Sequence, residues 1–210
     1  MNYKYLIFDF NGTLYDDRKT CLLTINRMLE KRGMKELNFD EYTHIFTFPI
    51  IEYYRRAGLD LEKESFDDLA REWLRNYFSL EDETASLYDD ALPTLNKLRK
   101  DHKIILLSAT KQDILEVQLE KLGIKDLFDY IVGISDIYAA SKIEEAKLFM
   151  ALANIDPKEV LYIGDTLHDK EVSDELGTKI IFVENGHNPK DLLEKEAMTI
   201  PNLSKLCELI

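Results

Sequence analysis

Short apolar runs recur along the chain, and a stretch of mixed polarity follows each of them. The runs cover residues 5–8, 103–107, 130–133, 160–163 and 179–183. Their leucine, β-branched and aromatic side chains predict strands that are buried on both faces of a parallel sheet. Amphipathic stretches predict helices over 89–100, 111–122 and 141–154, a helix that ends at 176, and a final helical region. This alternation predicts an α/β core in which helices cover both faces of the sheet.

Residues 15–85 show helical periodicity and no strand pattern. The predicted helices cover 17–32, 40–57 and 65–79. The second is interrupted at Phe46–Pro49, because proline can begin a helix but cannot continue one. This run of helices predicts a small all-helical domain at 15–85, inserted into a core formed by 1–14 and 86–210.

The composition narrows the class of protein. With 210 residues, of which 45% are hydrophobic and 32% charged, the chain is expected to form one domain with a modest insert. The apolar runs are too short to cross a bilayer and no secretory signal pattern opens the chain, which predicts a cytoplasmic protein without membrane contact. The net charge of −13 argues against nucleic-acid binding. An anionic substrate would therefore need local help from cations or backbone amides.

Polar side chains end three of the predicted strands: Asp9, Ser108 and Asp165. The carboxyl ends of parallel strands meet at one edge of a sheet, where α/β proteins bind ligands, and Lys142 at the start of a helix can lie there too. Two carboxylates, a hydroxyl and an ammonium indicate a phosphoryl site with a divalent cation, and oxygen ligands suit Mg²⁺.

Simpler interpretations of these residues stay open at this point. Asn11 and Gly12 are also typical of a type I′ hairpin turn, which needs no function. Ser108 could cap the next helix, and Lys142 could be a solvated surface lysine. Asp169 could be an ordinary acidic residue in the first turn of a helix.

Four motifs in order resemble those of the haloacid dehalogenase superfamily, in its phosphoglycolate-phosphatase-like branch. They are DFNGTL at 9–14, LLSAT at 106–110, Lys142 within ASKIEEAKLF, and GDTLHD at 164–169. The helical segment at 15–85 falls where that branch carries a helical cap. The resemblance implies a Rossmann-like, three-layer α/β core with a parallel sheet and a small all-helical cap domain.

The resemblance also implies a role for each matching position. Asp9 would be the nucleophile that forms an aspartyl phosphate, and Asp169 would orient Lys142 or a metal-bound water. The Mg²⁺ ligands would be Asp9, Asp165 and the backbone carbonyl of Asn11. The phosphoryl oxygens would contact Gly12, Thr13, Ser108, Ala109 and Lys142. The cap loop at Thr47, Phe48 and Pro49 would select the substrate, a small phosphorylated metabolite.

One position departs from the family pattern. Phosphatases of the superfamily carry the general acid–base aspartate at the position of Asn11, and an amide cannot donate or accept a proton near neutral pH. General acid–base help is worth roughly 10²–10⁴ in rate. The expected function is therefore a Mg²⁺-dependent phosphatase with weakened or specialised turnover, which Asn11→Asp is expected to speed. The alternative is a catalytically impaired protein that binds phosphate or a metabolite.

Some details of the function stay open in the sequence. His44 and His168 are candidate replacement proton donors, and deamidation of Asn11 before Gly12 would regenerate aspartate. Arg55 and Arg56 could reach a second anionic group of the substrate, or could simply complement the end of a helix. The sequence gives no indication of the oligomeric state.

Overall fold

A computed structural model describes residues 3–210 and contains eight strands and ten α-helices within that range. The strands are β1 (Tyr5–Phe8), β2 (Tyr15–Asp16), β3 (Ser86–Leu87), β4 (Lys103–Lys111), β5 (Tyr130–Ile134), β6 (Val160–Gly164), β7 (Lys179–Val183) and β8 (Thr199–Ile200). The helices are α1 (Arg18–Glu30), α2 (Phe39–Ile45), α3 (Ile50–Arg56), α4 (Phe66–Thr84), α5 (Ala91–Leu98), α6 (Gln112–Leu122), α7 (Ile143–Leu152), α8 (Leu167–Leu176), α9 (Lys190–Leu193) and α10 (Leu206–Leu209).

Six strands form one parallel sheet in the order β5-β4-β1-β6-β7-β8. Alternate residues of β1 face opposite layers: Leu6 and Phe8 pack in the layer of α5 and α6, and Ile7 packs in the layer of α7 and α8. The predicted α/β fold with a three-layer, Rossmann-like core is confirmed. Since β1 lies at the centre of the sheet, its carboxyl end is surrounded by the ends of β4 and β6.

Helices α1 to α4 pack around an apolar cluster of their own. It contains Ile25, Met28, Tyr42, Tyr53 and Leu69, all nearly or fully buried. The core strands contribute no residue to this cluster, so these helices bury their apolar faces against one another. The domain boundaries at 14/15 and 85/86 stay a prediction.

Three details differ from the predicted elements. Residues Tyr15–Asp16 pair antiparallel with Ser86–Leu87, so the segment 15–85 does contain a short strand. Helix α4 continues to Thr84 instead of ending near Ser79, because Glu81 is buried and accepts hydrogen bonds from Tyr15 and Gln118. The two-residue edge strand β8 was not predicted, since two residues give no periodic signal.

Bilayer-spanning helices are absent from residues 3–210, where none is both long enough and apolar enough to cross a membrane.

Candidate active site

Asp9 follows β1 directly and is only 7% exposed. Its amide donates to the carbonyl of Ile163 in β6, which holds the residue in line with the sheet (N···O 2.9 Å). The ammonium of Lys142 donates to Asp9 Oδ1 and to the carbonyl of Leu107, and it lies 2.8 Å from Asp169 Oδ1. Lys142 itself is 2% exposed, so the interpretation as a solvated surface lysine was wrong.

Asp165 follows β6 and is fully buried beside the β1 turn. Its Oδ1 accepts from the Thr13 hydroxyl at 2.8 Å, and its Oδ2 accepts from the His187 amide at 2.7 Å. Gly12 has φ +78°, and a Cβ there would lie 2.2 Å from Asp165 Oδ2. A Cβ on Gly186 would lie equally close, 2.1 Å from the Cβ of Asp165. Both positions therefore require glycine for steric reasons.

The two carboxylate oxygens of Asp169 make different contacts. Its Oδ2 accepts from the amide and hydroxyl of Thr166 (3.0 and 2.8 Å) and from the amide of Asp165 (3.1 Å), which completes a capping box at the start of α8. Its Oδ1 accepts from the Tyr162 hydroxyl and pairs with Lys142. The helix-terminal interpretation and the predicted contact with Lys142 therefore both describe this residue.

The site has more negative than positive charge. Carboxylate oxygens of Asp9, Asp165 and Asp169 lie within 4.8 Å of one another, and all three residues are buried. Burial raises the pKa of Asp9 well above its ordinary value although Lys142 opposes the shift, and burial raises the pKa of Asp165 to about 6 against the opposing charge of His187. Burial alone would lower the pKa of Lys142, but Asp169 and Asp9 raise it, so the ammonium stays charged. Buried carboxylates short of countercharge are the donor set that a hard divalent cation fits.

Asn11 is held by hydrogen bonds on both sides of its amide. Its Nδ2 donates to Asp17 Oδ2 at 2.8 Å and to the Tyr77 hydroxyl at 3.4 Å, and its Oδ1 accepts from the Thr110 hydroxyl at 3.2 Å. The side chain is therefore fixed in one orientation. Position 11 itself has no carboxylate, but its side chain is hydrogen-bonded to the carboxylate of Asp17.

Asp17 and His187 form a buried pair that the sequence reasoning missed. His187 Nε2 lies 3.0 Å from Asp17 Oδ1, and Nδ1 lies 2.6 Å from the Tyr42 hydroxyl. Burial would lower the pKa of His187, but the Asp17 carboxylate raises it to about 9; His187 in turn holds the pKa of Asp17 below its ordinary value despite burial. The available signal was the turn-rich sequence at 185–189, which follows the apolar run of β7 and so reaches the same sheet edge.

Ser108 and Ala109 lie where β4 becomes irregular. The register between β4 and β5 shifts between Leu107 and Lys111, and such a bulge turns residues out of the regular ladder. Ser108 Oγ accepts from the Thr110 amide at 3.1 Å, while the residue that precedes α6 is Lys111. The interpretation of Ser108 as a helix cap was therefore wrong.

A cavity of about 140 Å³ lies between the helices α1 to α4 and this sheet edge. Asp9, Asn11, Ser108, Ala109 and Lys142 form its floor. The predicted cap loop contributes Phe48, whose ring lines the cavity, whereas the Thr47 hydroxyl donates to the carbonyl of its own neighbour Phe48. Pro49, Gly12, Thr13 and Asp165 are close by but are not part of the lining.

The two histidines considered as proton donors lie elsewhere. His44 is on the surface, beside Asp40 and Asp191. His168 stacks on Phe48, with its Nδ1 2.9 Å from Glu171, and neither histidine lines the cavity above Asp9.

The family model of the haloacid dehalogenase-like hydrolases matches residues 6–183. The chain belongs to this family. The match covers most of β1 and all of β2 to β7, with Asp9, Ser108, Lys142, Asp165 and Asp169 among them, and it ends before Gly186 and His187. The resemblance deduced from the four motifs is confirmed, and so is the prediction that the protein is a hydrolase.

Relatives of this haloacid dehalogenase-like hydrolase are distant in sequence. Pyrophosphatase PpaX of Bacillus velezensis is 23% identical over 83% of this chain and 80% of its own length. A phosphoglycolate phosphatase of Pseudomonas fluorescens is 26% identical over 97% of this chain and 78% of its own length. A haloacid dehalogenase-like hydrolase of Streptococcus pneumoniae has the same fold, with a TM-score of 0.85 and 18% identity over 99% of both chains.

Proposed function

We propose that this haloacid dehalogenase-like hydrolase is a Mg²⁺-dependent phosphomonoesterase in which Asp9 is the nucleophile. The observation that carries the proposal is the contact of Lys142 with Asp9 at the floor of a cavity that Ser108 and Ala109 also line. A carboxylate beside a buried ammonium can attack phosphorus while the ammonium stabilises the charge that develops on the phosphoryl oxygens. The phosphatases among the relatives support the same reaction class.

The chain's own residues account for each stage of the proposed reaction. A carboxylate oxygen of Asp9 forms a bond to phosphorus as the ester P–O bond breaks, and the leaving oxygen takes the bonding electron pair. Lys142, held by Asp169, and the hydroxyl of Ser108 bind the phosphoryl oxygens. Water then hydrolyses the aspartyl phosphate, which releases inorganic phosphate and restores the Asp9 carboxylate.

A bound Mg²⁺ would be held by Asp9, Asp165 and the backbone carbonyl of Asn11. It would supply the positive charge that lets a carboxylate approach an anionic phosphate. The buried carboxylate oxygens of Asp9 and Asp165, which lie within 4.8 Å of each other, support this assignment.

Asn11 limits the proposed reaction because it cannot protonate the leaving oxygen. Turnover is therefore expected to be slow for alkyl phosphates, whose alkoxide leaves poorly without a proton. The competing proposal is a protein that binds Mg²⁺ and a phosphorylated ligand without turnover. The observation that favours it is the amide of Asn11, locked between Asp17 and Thr110.

Phosphate release from acetyl phosphate and phosphoglycolate, measured with Mg²⁺ and with EDTA, tests the proposal. Wild type is expected to hydrolyse acetyl phosphate only with Mg²⁺, and Asp9→Asn is expected to lose at least about a hundredfold in rate, because removal of a nucleophile abolishes the covalent route. Asp126→Asn, on the surface between α6 and β5 and outside the cavity, is the control and should match wild type. The intact mass of the wild-type sample verifies that Asn11 has not deamidated.

Two other results would contradict parts of the proposal. Equal rates for wild type and Asp9→Asn would exclude Asp9 as the nucleophile. Saturable binding of Mg²⁺ and phosphate without any turnover would establish the binding protein instead.

A further inference from the structure

The wall of the cavity above Asp9 is strongly apolar. Aromatic and aliphatic side chains from the cap loop, α3, α4 and α6 face it, among them Phe48, Ile50, Trp73, Leu74, Phe78 and Ile114. The polar floor can contact the phosphoryl group. The apolar wall would then contact the leaving group of the substrate. Contact with such a wall favours an apolar leaving group, because each Å² of apolar surface removed from water contributes about 25 cal/mol.

Among the described residues, the lining of the cavity leaves only Lys111 as a cation that a second anionic group could contact, and Asp113 already pairs with it. Among the described residues, its lining contains the cations Lys111 and Lys142, besides His187 in its pair with Asp17. Lys142 is held by Asp9, and Lys111 donates to Asp113 at 2.6 Å. A carboxylate on the leaving group would have to displace Asp113 from Lys111 or lie against apolar side chains, and either arrangement costs free energy.

Arg55 and Arg56 do not change this balance. Both are exposed at the end of α3 and neither lines the cavity; Arg55 pairs with Glu52 on the surface. The possibility that they reach a second anionic group of the substrate is therefore not supported, and the interpretation as a helix-terminal charge pair fits their position.

Two buried polar atoms of the wall lack a hydrogen-bond partner within residues 3–210. They are Nε1 of Trp73, a donor, and Oε1 of Gln118, an acceptor, and both residues line the cavity. Buried polar groups are normally paired. A ring that carries one hydroxyl could provide a partner for either of them.

Asn11 points to the same kind of leaving group for a separate reason. A phenol has a pKa of about 10, against about 16 for water, so a phenoxide leaves far more readily without a proton than an alkoxide does. A site that lacks a proton donor at position 11 can therefore act on an aryl ester.

We infer that the substrate is a phosphomonoester of an aromatic alcohol, with its ring between α3, α4 and α6. This inference rests on the proposed function and names its substrate class. The phosphate would contact Lys142 and Ser108, and the ring would contact Trp73, Phe48 and Ile114. Attack by Asp9 would release a phenol, since the phenoxide takes its proton from water after the P–O bond has broken.

The inference is tested by measuring the affinity of non-hydrolysable phosphonates, because their binding does not depend on how readily a leaving group departs. Phenylphosphonate, methylphosphonate and phosphonoacetate are compared as competitive inhibitors of acetyl phosphate hydrolysis with Mg²⁺. Phenylphosphonate is expected to bind at least tenfold more tightly than methylphosphonate, and phosphonoacetate no more tightly than methylphosphonate.

A matched pair of variants locates the ring. Ile114→Lys puts a charge into the wall and should remove the preference for phenylphosphonate over methylphosphonate. Val117→Lys adds the same charge one turn along α6, at a side chain that is 64% exposed, and should leave the preference unchanged.

The results separate the two proposals. If all three phosphonates inhibit but phenylphosphonate binds no more tightly than methylphosphonate, the aryl inference is wrong and the phosphatase proposal stands. Tighter binding of phosphonoacetate than of phenylphosphonate would also overturn the inference. If acetyl phosphate is not hydrolysed and no phosphonate binds, the proposed function fails and the inference fails with it.

Discussion

At the scale of single residues, the pair Asn11 and Asp17 decides how the site can handle protons. The amide of Asn11 donates to the Asp17 carboxylate at 2.8 Å, so one position is neutral and its neighbour is charged. An aspartate at position 11 would put two carboxylates at hydrogen-bond distance, and like charges so close cannot both ionise freely. The structure therefore changes the expectation that Asn11→Asp alone speeds turnover.

The corresponding prediction concerns a double variant. Asn11→Asp combined with Asp17→Asn exchanges the two side chains and keeps one amide–carboxylate contact between them. Its kcat on an alkyl phosphate is expected to exceed that of Asn11→Asp by about tenfold or more. General acid–base catalysis supplies a rate factor of roughly 10²–10⁴, and the double variant should recover part of it. Asp17→Asn alone is the control and should give no gain, because it restores no acid. Equal rates for the single and the double variant would show that Asp17 does not interfere.

Some residues of this site could be predicted from the sequence pattern and others could not. Asp9, Asp165 and Lys142 end apolar runs or begin helices, so their common edge followed from the parallel sheet. Asp17 and His187 belong to no periodic pattern and are 170 residues apart. Their contact depends on how the cap packs against the core, which periodicity does not encode.

At the scale of elements, Arg32 connects the cap helices α1 and α4 through hydrogen bonds. Arg32, just after α1, makes two hydrogen bonds to Glu64 (both 2.6 Å) and two to Glu72 of α4 (2.9 and 3.2 Å). Burial would raise the pKa of Glu72, but Arg32 and Lys31 hold it below the ordinary value. Arg32 likewise lowers the pKa of Glu64.

Arg32→Met is therefore expected to destabilise the protein in a pH-dependent way. It leaves Glu72 with Lys31 alone, and a loss of about 1–3 kcal/mol at pH 7 is expected, below the roughly 3–5 kcal/mol of a fully buried pair. Because the folded pKa of both glutamates is lowered, their contribution is present above the unfolded pKa of about 4.3 and is lost as pH falls through the folded values. Urea unfolding at a series of pH values should show the difference between wild type and variant shrinking in acid.

The control for this prediction is Arg71→Met, which breaks the exposed contact with Asp67 on α4. Its unfolding curve should follow that of wild type across the same pH range, since exposed ion pairs contribute little. A difference for Arg32→Met that stays constant down to pH 3 would mean that packing of its alkyl chain, and not its charge, stabilises the cap.

The helices and strands could be predicted from the sequence where their buried residues recur in a regular pattern. Strand β6 is apolar throughout and α6 ends at Gly123 with φ +67°, so sequence and structure agree there. The end of α4 could not be placed, because Leu80 and Glu81 are buried by tertiary contacts, including that of Glu81 with Gln118 of the core.

At the scale of the whole molecule, the cap is closed over the site. Asn188, in the loop after β7, donates to the carbonyl of Phe46 at 3.0 Å and of Thr43 at 3.4 Å, and accepts from the Leu167 amide. Tyr138 donates to Asp67 of α4 at 2.8 Å. A bound substrate is enclosed between the cap and the core while such contacts hold, so their strength sets the fraction of complexes in which the cap is closed.

The last prediction tests this closure with Asn188→Asp. The variant keeps the acceptor for Leu167 but replaces the donor that holds the two cap carbonyls, which removes about 1–2 kcal/mol from the closed state. The amide of Ile50 in the cap donates to the carbonyl of Ala139 in the core (3.4 Å). This amide is then expected to exchange its hydrogen about 5–30-fold faster, and KM for acetyl phosphate to rise in proportion while kcat changes less. Asn185→Asp adds the same charge in the same loop, where the side chain contacts Pro201 of the core, and should affect neither quantity. If both variants speed exchange equally, the added charge and not the lost contact is responsible, and Asn188 does not hold the cap closed.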